Sequence, residues 1–242
     1  MIFYFSGTGN SAWVAQQLAL LTGDQVYDIA TLAEIPDMQA ARQIGFVFPI
    51  YAWGAPEPMV AFAKKLVKTQ AFTFGVCTCG AEAGLAMKYF SRIYPLNSSY
   101  SLVMRSSDLT DDAETIRIKI SAAREELQRI SHEILQQKSV YRVQEGPLAG
   151  LKSNLANFGF NKFARNTKPF YATSACNGCG LCVQNCPAST IALVDKMPAW
   201  GARCYQCMRC IHECPQQAIQ YGKATKGKHR YTIRQYLTEH ES

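Results

Sequence analysis

Two copies of one cysteine pattern, 28 residues apart, constrain this chain more than any other feature of its sequence. Each copy reads C-x-x-C-x-x-C-x-x-x-C-P, and Ile191 and Ile219 keep the same spacing beyond the cysteines. The first copy holds Cys176, Cys179, Cys182 and Cys186, and the second holds Cys204, Cys207, Cys210 and Cys214. Three thiolates on one tight loop can hold three corners of an iron–sulfur cubane, so that a fourth ligand must come from elsewhere.

The alternatives for these cysteines are a zinc site or disulfide bonds, since C-x-x-C pairs commonly bind zinc. Eight cysteines in tandem order, with both sets ending in Cys-Pro, favour two four-iron clusters instead. Residues 173–222 resemble the bacterial two-cluster 4Fe–4S ferredoxins. In that arrangement each cluster takes its fourth ligand from the last cysteine of the other copy. The predicted ligands are therefore Cys176, Cys179, Cys182 and Cys214 for one cluster, and Cys204, Cys207, Cys210 and Cys186 for the other.

At the other end of the chain, a short apolar run at residues 2–5 leads directly into a hydroxyl- and glycine-rich loop. An apolar run without polar alternation is typical of a buried parallel strand, and residues 12–21 predict a helix after the loop. Backbone N–H groups and a helix N-terminus converge on such a loop, which predicts a phosphate site. The alternative is a plain loop with ordinary N-cap residues. The predicted phosphate ligands are Ser6, Gly7, Thr8, Gly9, Asn10 and Ser11.

The S-x-T-G-N-S pattern of this loop resembles the phosphate loop of flavodoxins, which bind flavin mononucleotide (FMN). The resemblance implies that two further loops contact the flavin. Trp53 or Tyr51 would stack on its ring, and Cys79 with Gly80 would lie at its pyrimidine edge. A tryptophan at a strand end can instead simply cover the core. The implied contacts are Pro49, Ile50, Tyr51, Ala52, Trp53 and Gly54 after the third strand, and Thr78, Cys79 and Gly80 after the fourth.

Strand-like and helical segments alternate through the first 140 residues, which predicts an α/β fold with a doubly wound, five-stranded, flavodoxin-like parallel sheet. The last predicted helix, residues 111–138, is long and amphipathic. The predicted domains are a flavodoxin-like FMN-binding domain (1–140), an aromatic and basic connector (141–172), a small α+β two-cluster ferredoxin-like domain (173–222) and a C-terminal tail (223–242) that is either docked or loose.

Charge is distributed unevenly along the chain. Lys and Arg against Asp and Glu sum to −1 over residues 1–150 and to +8 over residues 151–242. Basic side chains would offset negative clusters and could steer an acidic redox partner, although a solvated basic face is the alternative. No nucleic-acid-binding motif is present. No apolar run approaches the ~18 residues of a membrane span, and no signal peptide is recognisable, which predicts a cytoplasmic protein.

The combination resembles a fusion family of anaerobic bacteria and archaea, in which a flavodoxin-like domain precedes a two-cluster ferredoxin. The resemblance implies an electron-transfer protein that carries two 4Fe–4S clusters and FMN and exchanges electrons with a redox partner. One alternative is an FMN-dependent reductase that delivers electrons from its own clusters to a small-molecule acceptor. Another is a non-redox, cluster-binding regulatory module. No catalytic residue is predicted, because flavin chemistry needs few acid–base groups.

Overall fold

The computed structural model describes residues 1–106 and 111–237. The chain divides into two compact units, Met1–Phe158 and Gly159–Ser242. Residues 141–158 of the predicted connector belong to the first unit, and residues 159–172 belong to the second. The end of the predicted tail, residues 238–242, lies outside the described residues.

The first unit is built on one parallel sheet of six strands in the order β2-β1-β3-β4-β5-β6. The order of the first five strands is the flavodoxin-like 2-1-3-4-5, which confirms the predicted fold class. The sequence predicted five strands, and the sixth has only two residues, too few to give a periodic pattern. The strands are β1 (Ile2–Tyr4), β2 (Val26–Asp28), β3 (Gln43–Pro49), β4 (Phe72–Cys79), β5 (Ser98–Val103) and β6 (Tyr141–Arg142).

Four helices cover this sheet, and α1 packs against α4 while α2 packs against α3. Phe46 and Phe48 alternate to the same face of β3 and both meet the ring of Phe90 on α3. The predicted apolar face of the long helix is buried from Ile116 to Ile134. The helices are α1 (Asn10–Thr22), α2 (Glu57–Ala63), α3 (Ala86–Ile93) and α4 (Ala113–Leu135).

The long helix α4 is three residues shorter at its C-terminal end than the pattern predicted, and it starts after a capping residue. The Asp112 carboxylate accepts a hydrogen bond from the N–H of Thr115 at 2.7 Å, which satisfies one of the free donors at the helix start. Within residues 1–106 and 111–237, no helix has both the length and the apolar composition required to cross a membrane.

Short helical segments follow β6. They comprise α5 (Ala149–Leu151), a π-helical turn (Lys152–Ala156) and α6 (Asn157–Gly159), and a second π-helical turn (Phe160–Ala164) opens the second unit. Isolated π-helical turns are rare and frequently mark functional positions. The first of these turns contacts loops of the sheet, as described below.

The second unit repeats itself at the same 28-residue spacing as its cysteines. Its strands are β7 (Phe170–Ala172), β8 (Ile191–Val194), β9 (Met197–Trp200) and β10 (Ile219–Tyr221), and its short helices are α7 (Leu181–Gln184), α8 (Arg209–His212) and a 3₁₀ turn (Ile233–Tyr236). Helix α8 corresponds to α7, and β10 begins where β8 predicts. β7 pairs with β10 and β8 pairs with β9, both antiparallel. The sequence repeat is therefore also a repeat of the backbone.

Candidate functional site

The predicted phosphate loop joins β1 to α1 and is almost closed to solvent. Ser6, Thr8, Asn10 and Ser11 are all buried, although polar side chains avoid burial unless they have partners. The Ser11 and Thr78 hydroxyls lie 2.9 Å apart and so connect this loop to the end of β4. The loop therefore lies at the carboxyl edge of the sheet, where open α/β folds bind their ligands.

The N-terminus of α1 carries no side-chain cap. Gly9 occupies the N-cap position with φ of 97°, and no side chain hydrogen-bonds to the first turn, which also contains no acidic residue. The first N–H groups of a helix need an acceptor, and an anionic phosphate oxygen suits both these donors and the helix dipole. This end of the helix therefore fits the phosphate of FMN.

The sequence did not indicate that the loop after β5 also reaches this region. The side-chain amide of Asn10 donates to the backbone carbonyl of Arg105 at 2.8 Å, and Arg105 itself is only 6% exposed. A buried guanidinium beside a candidate phosphate loop adds positive charge near an anion. No motif marks Arg105, because its position depends on the pairing of β4 with β5.

Trp53 occupies a strained turn after β3. Tyr51 and Gly54 exchange two backbone hydrogen bonds of 2.9 and 3.0 Å, with Ala52 and Trp53 between them at φ of 45° and 60°. Such a two-residue turn ordinarily uses Asn and Gly. A bulky residue at positive φ is an outlier that persists only where surrounding contacts hold it, and such strain concentrates at functional sites.

Two charged side chains hold the Trp53 indole. Its N–H donates to the Glu82 carboxylate at 2.9 Å. Glu82 also pairs with the Lys152 ammonium, which lies over the Trp53 ring at 5.5 Å from the ring centre. The hydrogen bond from Lys152 is the main reason why the pKa of Glu82 lies below its ordinary value; burial opposes this effect and the Trp53 N–H adds to it. Glu82 is therefore ionised at neutral pH.

We expect acid to release Trp53 from this contact. Because the pKa of Glu82 is depressed in the folded state, the contact contributes at pH values above the ordinary 4.5 and is lost as pH falls through the lower, folded pKa. Below pH 4.5 the fluorescence of Trp53 should shift to the red in the flavin-free protein. The variant Glu82→Gln serves as the control and should lack this transition. An identical transition in wild type and Glu82→Gln would mean that another group controls the indole.

Residues after α5 pack across the same loops, which the sequence did not predict. The Ser153 hydroxyl accepts from the N–H of Leu85 at 2.8 Å, and the Asn157 side-chain amide donates to the carbonyl of Tyr51 at 3.0 Å. A side chain at Gly54 would collide with Asn157. The segment that follows β6 thus forms one wall around the Trp53 turn.

Cys79 is predicted to contact the flavin, and it is buried at the end of β4. Burial, reinforced by the charge of Glu82, raises the pKa of its thiol to about 12. The thiol therefore stays protonated and is not a reactive nucleophile. Its Sγ lies 3.8 Å from the carbonyl oxygen of Leu102.

The eight repeat cysteines of the second unit line two separate cavities. The first cavity, of about 340 Å³ including its open mouth, is lined by Cys176, Cys179, Cys182 and Cys214. The second cavity, of about 330 Å³, is lined by Cys186, Cys204, Cys207 and Cys210. Each cavity thus combines three cysteines of one copy with the last cysteine of the other. Four cysteine thiolates are the donor set of a four-iron cluster, so the residues present fit this group.

The walls of both cavities offer hydrogen-bond donors to sulfur. The N–H of Gln206 lies 3.2 Å from Cys204 Sγ, and the N–H of Ala218 lies 3.4 Å from Cys214 Sγ. Burial raises the pKa of the Cys207 thiol to about 11, although the backbone N–H and the guanidinium of Arg209 oppose the shift. Such a thiol ionises at neutral pH only when a metal replaces its proton. Within the described residues, no group of three or more His, Cys, Asp or Glu side chains is arranged to hold a single metal ion.

Two positions in each copy have a left-handed backbone. Gly178 and Gly180 have φ of 71° and 78°, and their counterparts in the second copy, Gln206 and Met208, have φ of 55° and 58°. Glycine adopts this conformation without strain, whereas other residues lose about 1–2 kcal/mol. The loop geometry is therefore kept even where the sequence does not favour it.

We expect Gly178→Ala to lower the free energy of unfolding by about 1–2 kcal/mol, because alanine is strained at this φ. Its Cβ would also lie 2.9 Å from the carbonyl oxygen of Lys196. Thermal unfolding of the cysteine-rich unit measures the effect. Gly227→Ala is the matched control, because Gly227 has φ of 70° but no atom within 4 Å of an added Cβ. Equal losses in the two variants would show that the approach of Lys196 is unimportant.

Comparison with known proteins supports the two-cluster prediction. Residues 175–219, which include all eight repeat cysteines, match the family model of the 4Fe-4S dicluster domain. Among solved structures, the chain is similar to a flavodoxin of Streptococcus pneumoniae TIGR4, with 18% sequence identity and a TM-score of 0.41. That alignment covers 56% of this chain and 97% of the flavodoxin. No curated protein matches the chain.

Proposed function

We propose that this protein is an electron-transfer iron–sulfur flavoprotein that holds two 4Fe–4S clusters in its second unit and FMN in its first. The observation that carries the proposal is the crossed arrangement of the cysteines in two cavities. The ligands of one cluster are Cys176, Cys179, Cys182 and Cys214, and those of the other are Cys204, Cys207, Cys210 and Cys186. The family match of residues 175–219 supports the same assignment.

FMN is proposed at the carboxyl edge of the parallel sheet. The uncapped N-terminus of α1 and the buried hydroxyls of residues 6–11 support a phosphate site there. The residues proposed around the ring are those of the two neighbouring loops, Pro49–Gly54 and Thr78–Gly80. Glu82 and Lys152 fix the Trp53 indole in advance, so that little side-chain freedom would be lost when the ring binds.

The bound groups would supply the redox chemistry, since four-iron clusters exchange single electrons and a flavin exchanges one or two. The protein supplies position and electrostatics. Buried cysteines exclude water from each cavity, N–H donors face their sulfurs, and the basic composition after residue 150 offsets negative charge. The same positive charge supports an acidic redox partner, for which Lys223, Lys226 and Lys228 are exposed.

Anaerobic reconstitution tests the proposal. The purified chain should hold about eight iron atoms, as two four-iron clusters require, together with one FMN. After flash reduction of the clusters, the flavin absorbance should change at a rate that does not depend on protein concentration. Zinc in place of iron after reconstitution would refute the cluster assignment. Clusters that never exchange electrons with an external carrier would instead indicate a non-redox role.

A further inference from the structure

Arg230 is a buried cation in the segment that follows the second cysteine copy. The residue is only 4% exposed. Its guanidinium donates to the backbone carbonyl of Ile219 at 2.9 Å and, at 3.4 Å each, to those of Gln217 and Thr225. Its Nε is buried without a hydrogen-bond partner. In the part of the chain that the structure describes, no carboxylate forms an ion pair with it.

A buried guanidinium without a counter-ion is costly, because arginine stays charged at any ordinary pH. Burial lowers the pKa of Arg230, and the one charge that opposes this shift is the Cys214 thiolate. Backbone carbonyls satisfy part of the guanidinium but do not neutralise it. The local structure therefore favours an anion on the side of Cys214, and Cys214 lines the first cavity.

The segment around Arg230 is fixed rather than loosely attached. The N–H of Tyr231 donates to Nδ1 of His212 at 3.0 Å, and His212 lies on α8. Tyr231 is fully buried, and Ile233 is 1% exposed. Ile219, which accepts from Arg230, also lines the first cavity. The backbone on both sides of the guanidinium thus holds it beside the last cysteine of the second copy.

We propose that Arg230 is the internal counter-ion of the cluster bound by Cys176, Cys179, Cys182 and Cys214, and that it raises the reduction potential of this cluster selectively. Reduction adds one electron and one negative charge to the cluster, without a proton. A fixed cation nearby stabilises that product more than the oxidised form. Arg230 is therefore a positioning and tuning residue, and this role rests on the proposed cluster ligands.

Potentiometry with EPR detection on the reconstituted full chain tests the inference. Arg230→Gln should shift the reduction equilibrium of one cluster at least tenfold toward the oxidised form, which corresponds to about 59 mV for one electron. The other cluster should keep its potential. The shifted cluster should be the one whose signal is lost in Cys176→Ser. Arg230→Lys should restore most of the difference. Lys228→Gln, which removes an exposed charge from the same segment, should have only a small effect that salt abolishes.

Several results would overturn this role. Arg230→Gln protein that carries eight iron atoms with both potentials unchanged would remove it, while the proposed function would stand. Equal shifts of both clusters would indicate a general structural effect. If Arg230→Gln does not load the first cluster, Arg230→Lys decides the question. Loading with a near wild-type potential supports the counter-ion, and failure of Arg230→Lys to load contradicts it. A wild-type chain that binds no cluster would instead refute the proposed function.

Discussion

Replacing Cys214 by serine is expected to remove one four-iron cluster and to halve the iron content, from about eight to about four atoms per chain. The unexpected part is which cluster disappears. Cys214 belongs to the second copy in sequence, but it lines the first cavity with Cys176, Cys179 and Cys182. The EPR spectrum that remains in Cys214→Ser should therefore match that of Cys176→Ser and differ from that of Cys204→Ser.

The reciprocal variant provides an independent test of the same ligand sets. Cys186→Ser should leave the spectrum of Cys204→Ser, because both cysteines line the second cavity. Cys77→Ser is the matched control, since Cys77 is fully buried in the first unit and should leave the iron content unchanged. If the remaining spectrum of Cys214→Ser matched that of Cys204→Ser, each copy would bind its own cluster, and the crossed assignment would be wrong.

Loss of two hydroxyls from the phosphate loop is expected to weaken FMN binding by about 2–4 kcal/mol, because hydrogen bonds to charged groups contribute about 1.5–3 kcal/mol each. This corresponds to an increase in Kd of about 30-fold to 1,000-fold. The double variant is Thr8→Ala with Ser11→Ala. A hydroxyl can donate once and accept twice, so Ser11 can accept from Thr78 and still donate to phosphate.

Titration of the flavin-free protein with FMN, followed by flavin fluorescence, measures this change. Ser139→Ala is the control, because Ser139 is exposed and precedes β6, at the opposite edge of the sheet from the phosphate loop. Circular dichroism should show that the double variant keeps its helical content. Unchanged FMN affinity in a folded double variant would place the phosphate elsewhere.

The parts of this molecule that depend on local spacing were predictable from the sequence. The cysteine repeat indicated two metal-binding loops, since three ligands two residues apart lie within a single loop. Apolar runs such as residues 44–48 indicated buried parallel strands, and β3 is buried along almost its whole length. The 3.6-residue period of Ile116, Ile120 and Leu127 indicated one helix face. In each case the information lies within about ten residues.

The parts that depend on contacts between distant residues were not predictable. Lys152 follows Glu82 by 70 residues, and nothing in either local sequence indicates that they meet. The turn at Ala52 and Trp53 lacks the Asn and Gly that normally indicate such a conformation, so its strain appears only in the structure. Arg230 lies in a basic stretch whose other members are exposed, and its burial follows from the pairing of Tyr231 with His212.

The crossed cavities have a consequence for the connectivity of the chain. The β8–β9 hairpin, with Asp195 and Lys196 at its tip, lies between the two cysteine copies. With clusters bound as proposed, each copy is tied to the other twice, so a chain cut by a protease at Lys196 would remain one particle. The two copies would also lose their order together, because releasing one cluster frees a cysteine from each half and lengthens the loop that the other must close.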